Sequence, residues 1–322
     1  MPGGAYVTYL NFAETLITLA CQITSLFLNL NLVYISLFKP KFLLVKGLSI
    51  SLMAYLYTHI FMATFALPGN LYMGLSWKPP PSDASNRNPY LLYWLGLVAS
   101  NYYTASPVLV LMLTLDRCIS LKLPSYSFFP ASSKGRSLKL SLVWTMLGVV
   151  VATCVGNTWV YLLELPLDLT RVSNCEVFPC FAIKNRSFPQ LTWKVVISII
   201  NLISCSLFFY MLKQSGKAKI IKNRVVKNTI LFELFFDVIP AITGLAFNLI
   251  VGETPANYLG QYTVMLCYVD AACCSIFYSK VMLRSCGWKH WKHSTTRTVA
   301  SVEPHPQPLS SMSGNRSHSR HQ

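Results

Sequence analysis

The chain of 322 residues is 53% hydrophobic and only 12% charged, and its mean hydropathy is +0.45. Soluble domains carry about 25% charged residues, so this composition excludes a water-soluble fold and points to a bilayer. The net charge of +16 does not imply a nucleic-acid partner, because the basic residues fall in short clusters between apolar runs and not on one face of a soluble domain.

An apolar run of about 20 residues can cross a hydrocarbon core of roughly 30 Å as a helix. Such runs fall at Thr15 to Phe38, Leu44 to Leu67, Tyr90 to Leu121, Leu140 to Leu163, Leu191 to Leu212, Asn228 to Val251 and Leu259 to Met282. They predict an all-α fold, an integral membrane seven-helix bundle over residues 15–282. Residues 1–14 read as a short amino terminus with no basic start and no small-residue cleavage site, so the first helix is expected to be its own anchor. Pro68-Gly69-Asn70, Pro79-Pro80-Pro81 and Gly252-Glu253-Thr254-Pro255 read as turns between runs. No internal repeat is present, which weighs against a repeat-built transporter.

Lys and Arg accumulate on the cytoplasmic side of membrane proteins. One alternate set of connections, with the tail, holds 21 of them; the other set, in which Lys194 is counted, holds 6. This asymmetry predicts an extracellular amino terminus and a cytoplasmic carboxyl terminus. The loop before the fifth run then lies outside, where its sequon Asn185-Arg186-Ser187 is a glycosylation site; Asn315, in the tail, is expected to stay unmodified. Cys175 and Cys180 share that oxidising loop and either pair with each other or remain free or intermolecular thiols.

The third run ends in Asp116-Arg117-Cys118 and continues to Pro124, and a charged pair at that depth is too costly in lipid to be casual. Trp144 follows Arg117 by 27 residues, Pro240 stands midway in the sixth run, and Tyr278 closes Cys274-Ser275-Ile276-Phe277-Tyr278 in the seventh. These positions resemble rhodopsin-like G-protein-coupled receptors, whose third helix ends in Asp-Arg-Tyr and whose seventh carries Asn-Pro-x-x-Tyr. The departures are equally definite. No cysteine lies between Tyr90 and Leu115 to clamp the outer loop, the second run has no acidic residue, the fifth has no proline, and Val238 stands where a tryptophan is usual. With the short amino terminus, this pattern looks like the serpentine chemoreceptors of nematodes.

The resemblance implies a chemosensory receptor of the plasma membrane, in sensory cilia by family likeness. Such a receptor binds a small molecule in the extracellular half of the bundle and activates a heterotrimeric G protein, with receptor kinases and arrestin acting on its tail. It also implies a switch made of Asp116, Arg117, Cys118, Pro124 and Tyr278, in which the adjacent carboxylate and polar groups of the sixth helix hold Arg117 at rest. An arginine keeps its proton and makes several charge-assisted hydrogen bonds, which suits an exchange of partners. The simpler alternative is an arginine that snorkels to headgroups. The basic stretch Lys213 to Lys227 faces acidic lipid or a partner protein.

Glu233 and Asp237 are four residues apart on one helix face, where two ionised carboxylates repel, so at least one is expected to be neutral. Asp270 and His59 are candidate partners, giving an intramembrane polar network that either fixes packing or serves as a proton or ion switch. Ala99, eighteen residues before Arg117, stands where amine receptors keep an aspartate, and the seventh run has no central lysine. The resemblance therefore implies neither an ion-paired amine nor retinal. Ser100, Asn101, Tyr103, Thr104, Phe247 and Tyr268 offer an aromatic and polar lining for a small neutral or weakly polar ligand.

Residues 283–293 mix tryptophans with basic residues as an interfacial amphipathic segment on membrane lipid does, and Cys286 is a candidate for palmitoylation. Residues 294–322 are too poor in large apolar side chains to fold alone and read as a disordered cytoplasmic tail. Without a phosphate loop, a zincin helix or a nucleophile elbow, no enzyme, cofactor or metal is expected. The alternative to a receptor is a multi-pass transporter or ligand-gated channel that uses the intramembrane carboxylates.

Overall fold

A computed structural model describes residues 4–38, 49–79, 88–122, 133–167, 177–181, 188–215, 221–252 and 255–296. These residues are all-helical, without strands, and include seven helices long and apolar enough to cross a membrane. We number them α1 (Gly4–Phe38), α2 (Ile50–Leu75), α3 (Pro89–Lys122), α4 (Ser133–Leu162), α5 (Phe188–Ser215), α6 (Ile221–Val251, in three pieces) and α7 (Tyr262–Thr296). α3 is the central rod, packed on α2, α4 and α5, while α1 closes the ring against α2 and α7. In the most apolar window of α3, 72% of residues are buried, against 17% for α4, so α4 lies at the periphery with most of its surface facing lipid.

α1 begins at Gly4, well before the expected Thr15. Asn11 and Glu14, within the segment expected to be the short amino terminus, are buried. They start a polar stripe of Asn11, Glu14, Thr18, Gln22, Ser25 and Asn29, at helical spacing along the inner face of α1, whereas Phe27 and Leu30 on its other side are exposed. Three hydrogen bonds tie this side of α1 to its neighbours: Gln261 donates to Thr15 (2.8 Å), Gln22 donates to the Ala63 carbonyl (2.6 Å), and Ser25 bonds Ser275 (3.0 Å). Buried hydrogen bonds of this kind tie helices together where lipid supplies no hydrophobic drive.

Pro68-Gly69-Asn70 is not a turn but lies inside α2. The polar and small residues suit the interior here. Asn70 donates to Gln22 (2.7 Å), and a Cβ on Gly69 would lie 3.0 Å from the Leu95 carbonyl oxygen, so the missing side chain lets α2 approach α3. The helix continues because a proline's lost backbone bond is tolerated where neighbouring helices cover the freed groups.

In α6, Ile221–Glu233 leads into a π-helical turn, Leu234–Val238, before Ile239–Val251 resumes. Pro240 has no N–H to donate and its ring crowds the carbonyl four residues back, so the chain widens just before it. The N–H of Ile239 accordingly bonds Leu234, five residues back. Asp237 sits within this widened turn and is buried.

The connection between α4 and α5 lacks a cysteine partner on α3, yet it is anchored. Its 3-10 turn Phe178–Phe181 inserts Phe178 and Phe181 among Leu92, Tyr93, Leu97 and Tyr161. A Cβ on Gly96 would meet the Phe178 side chain at 2.5 Å, so only glycine admits this aromatic plug. Phe178→Ala is expected to destabilise the fold by about 3–5 kcal/mol, the range for an emptied aromatic site. Thermal unfolding of the purified protein checks it: an unchanged melting temperature would mean that the plug bears no load.

Candidate functional site

At the end of α3, Asp116 and Arg117 are both buried. Arg117 Nη2 donates to Ser49 Oγ at 2.6 Å, and its Nε lies 3.8 Å from Asp116 Oδ2. Ser49 caps the start of α2 and accepts from the Leu52 N–H at 3.2 Å, so one hydroxyl serves both a helix cap and the arginine. The adjacent carboxylate is where the resemblance implies it, but the second anchor comes from α2 and not from α6. Cys118 Sγ donates to the Ser204 carbonyl of α5 (3.9 Å), and Tyr278 of α7 bonds Thr229 of α6 (2.7 Å). Pro124 lies outside the described residues, and Trp144 points outward, 64% exposed.

Deeper in the bundle, α5, α6 and α7 bring together four charged side chains: Lys194, Glu233, Asp237 and Asp270 are each at most 3% exposed. Lys194 forms an ion pair with Asp237, and its ammonium stands 3.1 Å from the centroid of the Tyr103 ring, where cation–π attraction adds to the pairing. Glu233 accepts from Asn201 Nδ2 (3.4 Å) and interacts with Asp270, which also accepts from Cys274 Sγ (3.8 Å). Asp237 therefore has Lys194 as its close partner, in place of the expected Asp270 or His59. His59 belongs to another group: its Nδ1 bonds the Tyr102 hydroxyl (3.0 Å) and its ring packs 4.3 Å from that of Tyr55.

Lys194 is the residue that sequence reasoning missed. It was counted with the outer loops although it stands three residues inside the run Leu191 to Leu212. A lysine within an apolar run needs an acid, and Asp237 was the acid without a cation; that complementarity was the available signal.

A cavity of about 60 Å³ opens above this cluster, at the end of the bundle that carries Gly260. Ser100, Tyr103, Asn70, Gln190, Gln261 and Thr263 contribute its polar walls. Ser100 Oγ accepts from Asn157 (3.1 Å) and from Gln190 (2.9 Å), and the Tyr161 hydroxyl donates to Gln190 (2.5 Å). Of the six residues expected to line a pocket, Ser100 and Tyr103 do so. Thr104 instead lines a separate groove on the outer surface. Asn101 is engaged with Asn157 (2.7 Å) and Thr158 (3.0 Å) of α4, Phe247 packs on Tyr258 (5.6 Å), and Tyr268 stacks on Tyr102 (4.8 Å).

Gly260, between the one-turn helix Ala256–Leu259 and α7, has φ +67°, and an added Cβ would collide with Asn11 and Glu14. Glycine is thus required both by the backbone conformation and by the approach of α1. Cys175 and Asn185 lie outside the described residues, and only the main chain of Cys180 and Cys286 is described. The main chain of residues 283–296 continues α7 as helix.

Compared with known proteins, the chain matches no family model and no curated protein.

Proposed function

We propose that this multi-pass membrane protein is a G-protein-coupled chemosensory receptor of the plasma membrane, with its amino terminus outside. The observation that carries the reading is the buried Asp116–Arg117 pair, held at a helix end by a hydroxyl of another helix. A guanidinium has five N–H donors in a fixed fork, and a serine hydroxyl is a partner it can give up for a better acceptor.

The cavity above Tyr103 is the ligand entrance in this reading. At about 60 Å³ it falls well below the roughly 300 Å³ where small-molecule sites begin, so a ligand entering here has to enlarge it. A ligand that enlarges it displaces Tyr103, and with it the ring beneath which Lys194 pairs with Asp237. Because that pair joins α5 to the widened turn of α6, loosening it frees α6 to move, and Tyr278–Thr229 carries the change to the Arg117 end.

A screen of small neutral odorants in cells, read as G-protein dissociation, tests the proposal; a response that disappears in Arg117→Ala supports it. A second reading is favoured by one observation, the Lys194, Glu233, Asp237 and Asp270 cluster, which also suits an ion or proton path in a transporter or channel. Ligand-gated current in cells lacking G proteins decides for that alternative.

Orientation has its own check. With Lys194 inside the bundle, the basic residues stand 21 against 5, so an epitope after Gln322 is expected to stain only after permeabilisation. Staining of intact cells reverses the topology.

A further inference from the structure

A groove of about 390 Å³ runs along the outer surface between α3, α4 and α5. It lies within the apolar spans 140–162 and 188–214, so its contents come from the bilayer. Its volume is within the range of small-molecule sites. Ordinary lipid-facing surface is apolar, because a polar side chain in hydrocarbon is costly unless it is served. This groove departs from that rule: Thr104, Thr153, Asn157 and Gln190 stand in its wall beside Val149, Ala152 and Trp193.

The hydrogen bonds of these residues define what is left over. Thr104 donates to the carbonyl four residues back, as do Thr15, Thr18, Thr58, Thr114 and Thr145 elsewhere in the bundle. Thr153 does not. It is 7% exposed, and its hydroxyl has no hydrogen-bond partner among the described residues. Asn157 gives its amide hydrogens to Ser100 and Asn101, which leaves its Oδ1 as an acceptor. The wall thus has one hydroxyl able to donate and one carbonyl oxygen able to accept. No lining residue is charged. Gly156 opens the middle of the groove, and a Cβ there would meet nothing within 4 Å.

We infer that the groove is a binding site, entered from the membrane, for an uncharged aliphatic alcohol whose hydroxyl donates to Asn157 and accepts from Thr153. A hydroxyl matches both wall groups, whereas a ketone or ester can only accept, and a charged headgroup finds no counter-charge. The site is distinct from the inner cavity, although Gln190 lines both and its bond to Ser100 stands between them.

The test uses the full chain in lipid nanodiscs and two photoreactive probes, a diazirine-bearing hexadecanol and the same diazirine on hexadecane. Labelled positions are mapped by peptide mass spectrometry, and no signalling readout is involved, so failure of the receptor reading leaves the test intact. The alcohol is expected to label the 149–160 and 189–193 segments about tenfold more than the alkane, the difference one retained hydrogen bond makes. Thr153→Val, which keeps the shape, is expected to reduce that preference severalfold, leaving what the bond to Asn157 retains. Gly156→Leu fills the groove from an open position and is expected to abolish labelling by both probes; Ala152→Leu provides a second filling variant if the first fails to fold. Equal labelling by alcohol and alkane, or a preference undiminished in Thr153→Val, overturns the inference and leaves ordinary annular lipid.

Discussion

Lys194→Met and Asp237→Leu are each expected to destabilise the protein by about 3–5 kcal/mol, because each leaves a charge buried in the bundle without its opposite. The double variant is expected to recover most of that loss, since replacing a buried ion pair by apolar side chains of similar size is often close to neutral. Thermal unfolding of the purified variants measures the cycle, and additive losses would show that the two residues act independently. Asp237→Asn is the gentler probe for function, as it keeps shape and hydrogen bonding while removing the charge. The pair joins α5 to α6, so in the proposed receptor mechanism its attraction holds the resting arrangement and is lost if α6 moves. Every 1.4 kcal/mol or so of that attraction is worth a factor of ten in the population of the open state. Basal G-protein activation is therefore expected to rise about tenfold or more in Asp237→Asn; unchanged basal activity in a normally expressed variant would remove the pair from the switching mechanism.

The seven spans were legible because the hydrocarbon core imposes a length and an apolarity that no other constraint in the chain imitates. What escaped reading was the polar interior. Residues 1–14 read as a terminus before the first helix, Pro68-Gly69-Asn70 as a turn, and Lys194 as a loop charge, because each pattern would mean exposure in a water-soluble protein. Inside the bundle they mean the reverse: Asn70 is fully buried on Gln22, Gly69 is a close approach of two helices, and Lys194 answers Asp237. Glu233, Asp237 and Asp270 were legible as a group because their charge is improbable in apolar runs, whereas the choice of partner depends on the π-helical turn that re-aims Asp237. The pocket residues were the least legible. Helical spacing places Ser100, Asn101, Tyr103 and Thr104 within one turn of α3, and one turn faces the cavity, α4 and the lipid groove at once.

Arg117→Ala is expected to reduce agonist-driven G-protein activation to background while leaving protein at the cell surface. Loss of signal alone would not separate a switch from an anchor, so two companion variants carry the argument. Ser49→Ala removes the hydroxyl that holds Nη2 of Arg117 and costs the α2 cap about 0.5–2 kcal/mol, but leaves the guanidinium in place. If Arg117 exchanges partners between two states, releasing its resting partner favours the exchange, and Ser49→Ala is expected to raise basal activity where Arg117→Ala silences it. Arg117→Lys keeps the charge and the reach to headgroups but loses the planar fork that serves two acceptors at once. A snorkelling residue tolerates that change, because lysine places its charge at the interface equally well. A switching arginine does not, and signalling is expected to fall at least about tenfold, the value of one lost charge-assisted hydrogen bond. Full signalling by Arg117→Lys, measured at matched surface expression, would reduce Arg117 to a membrane anchor at the end of α3.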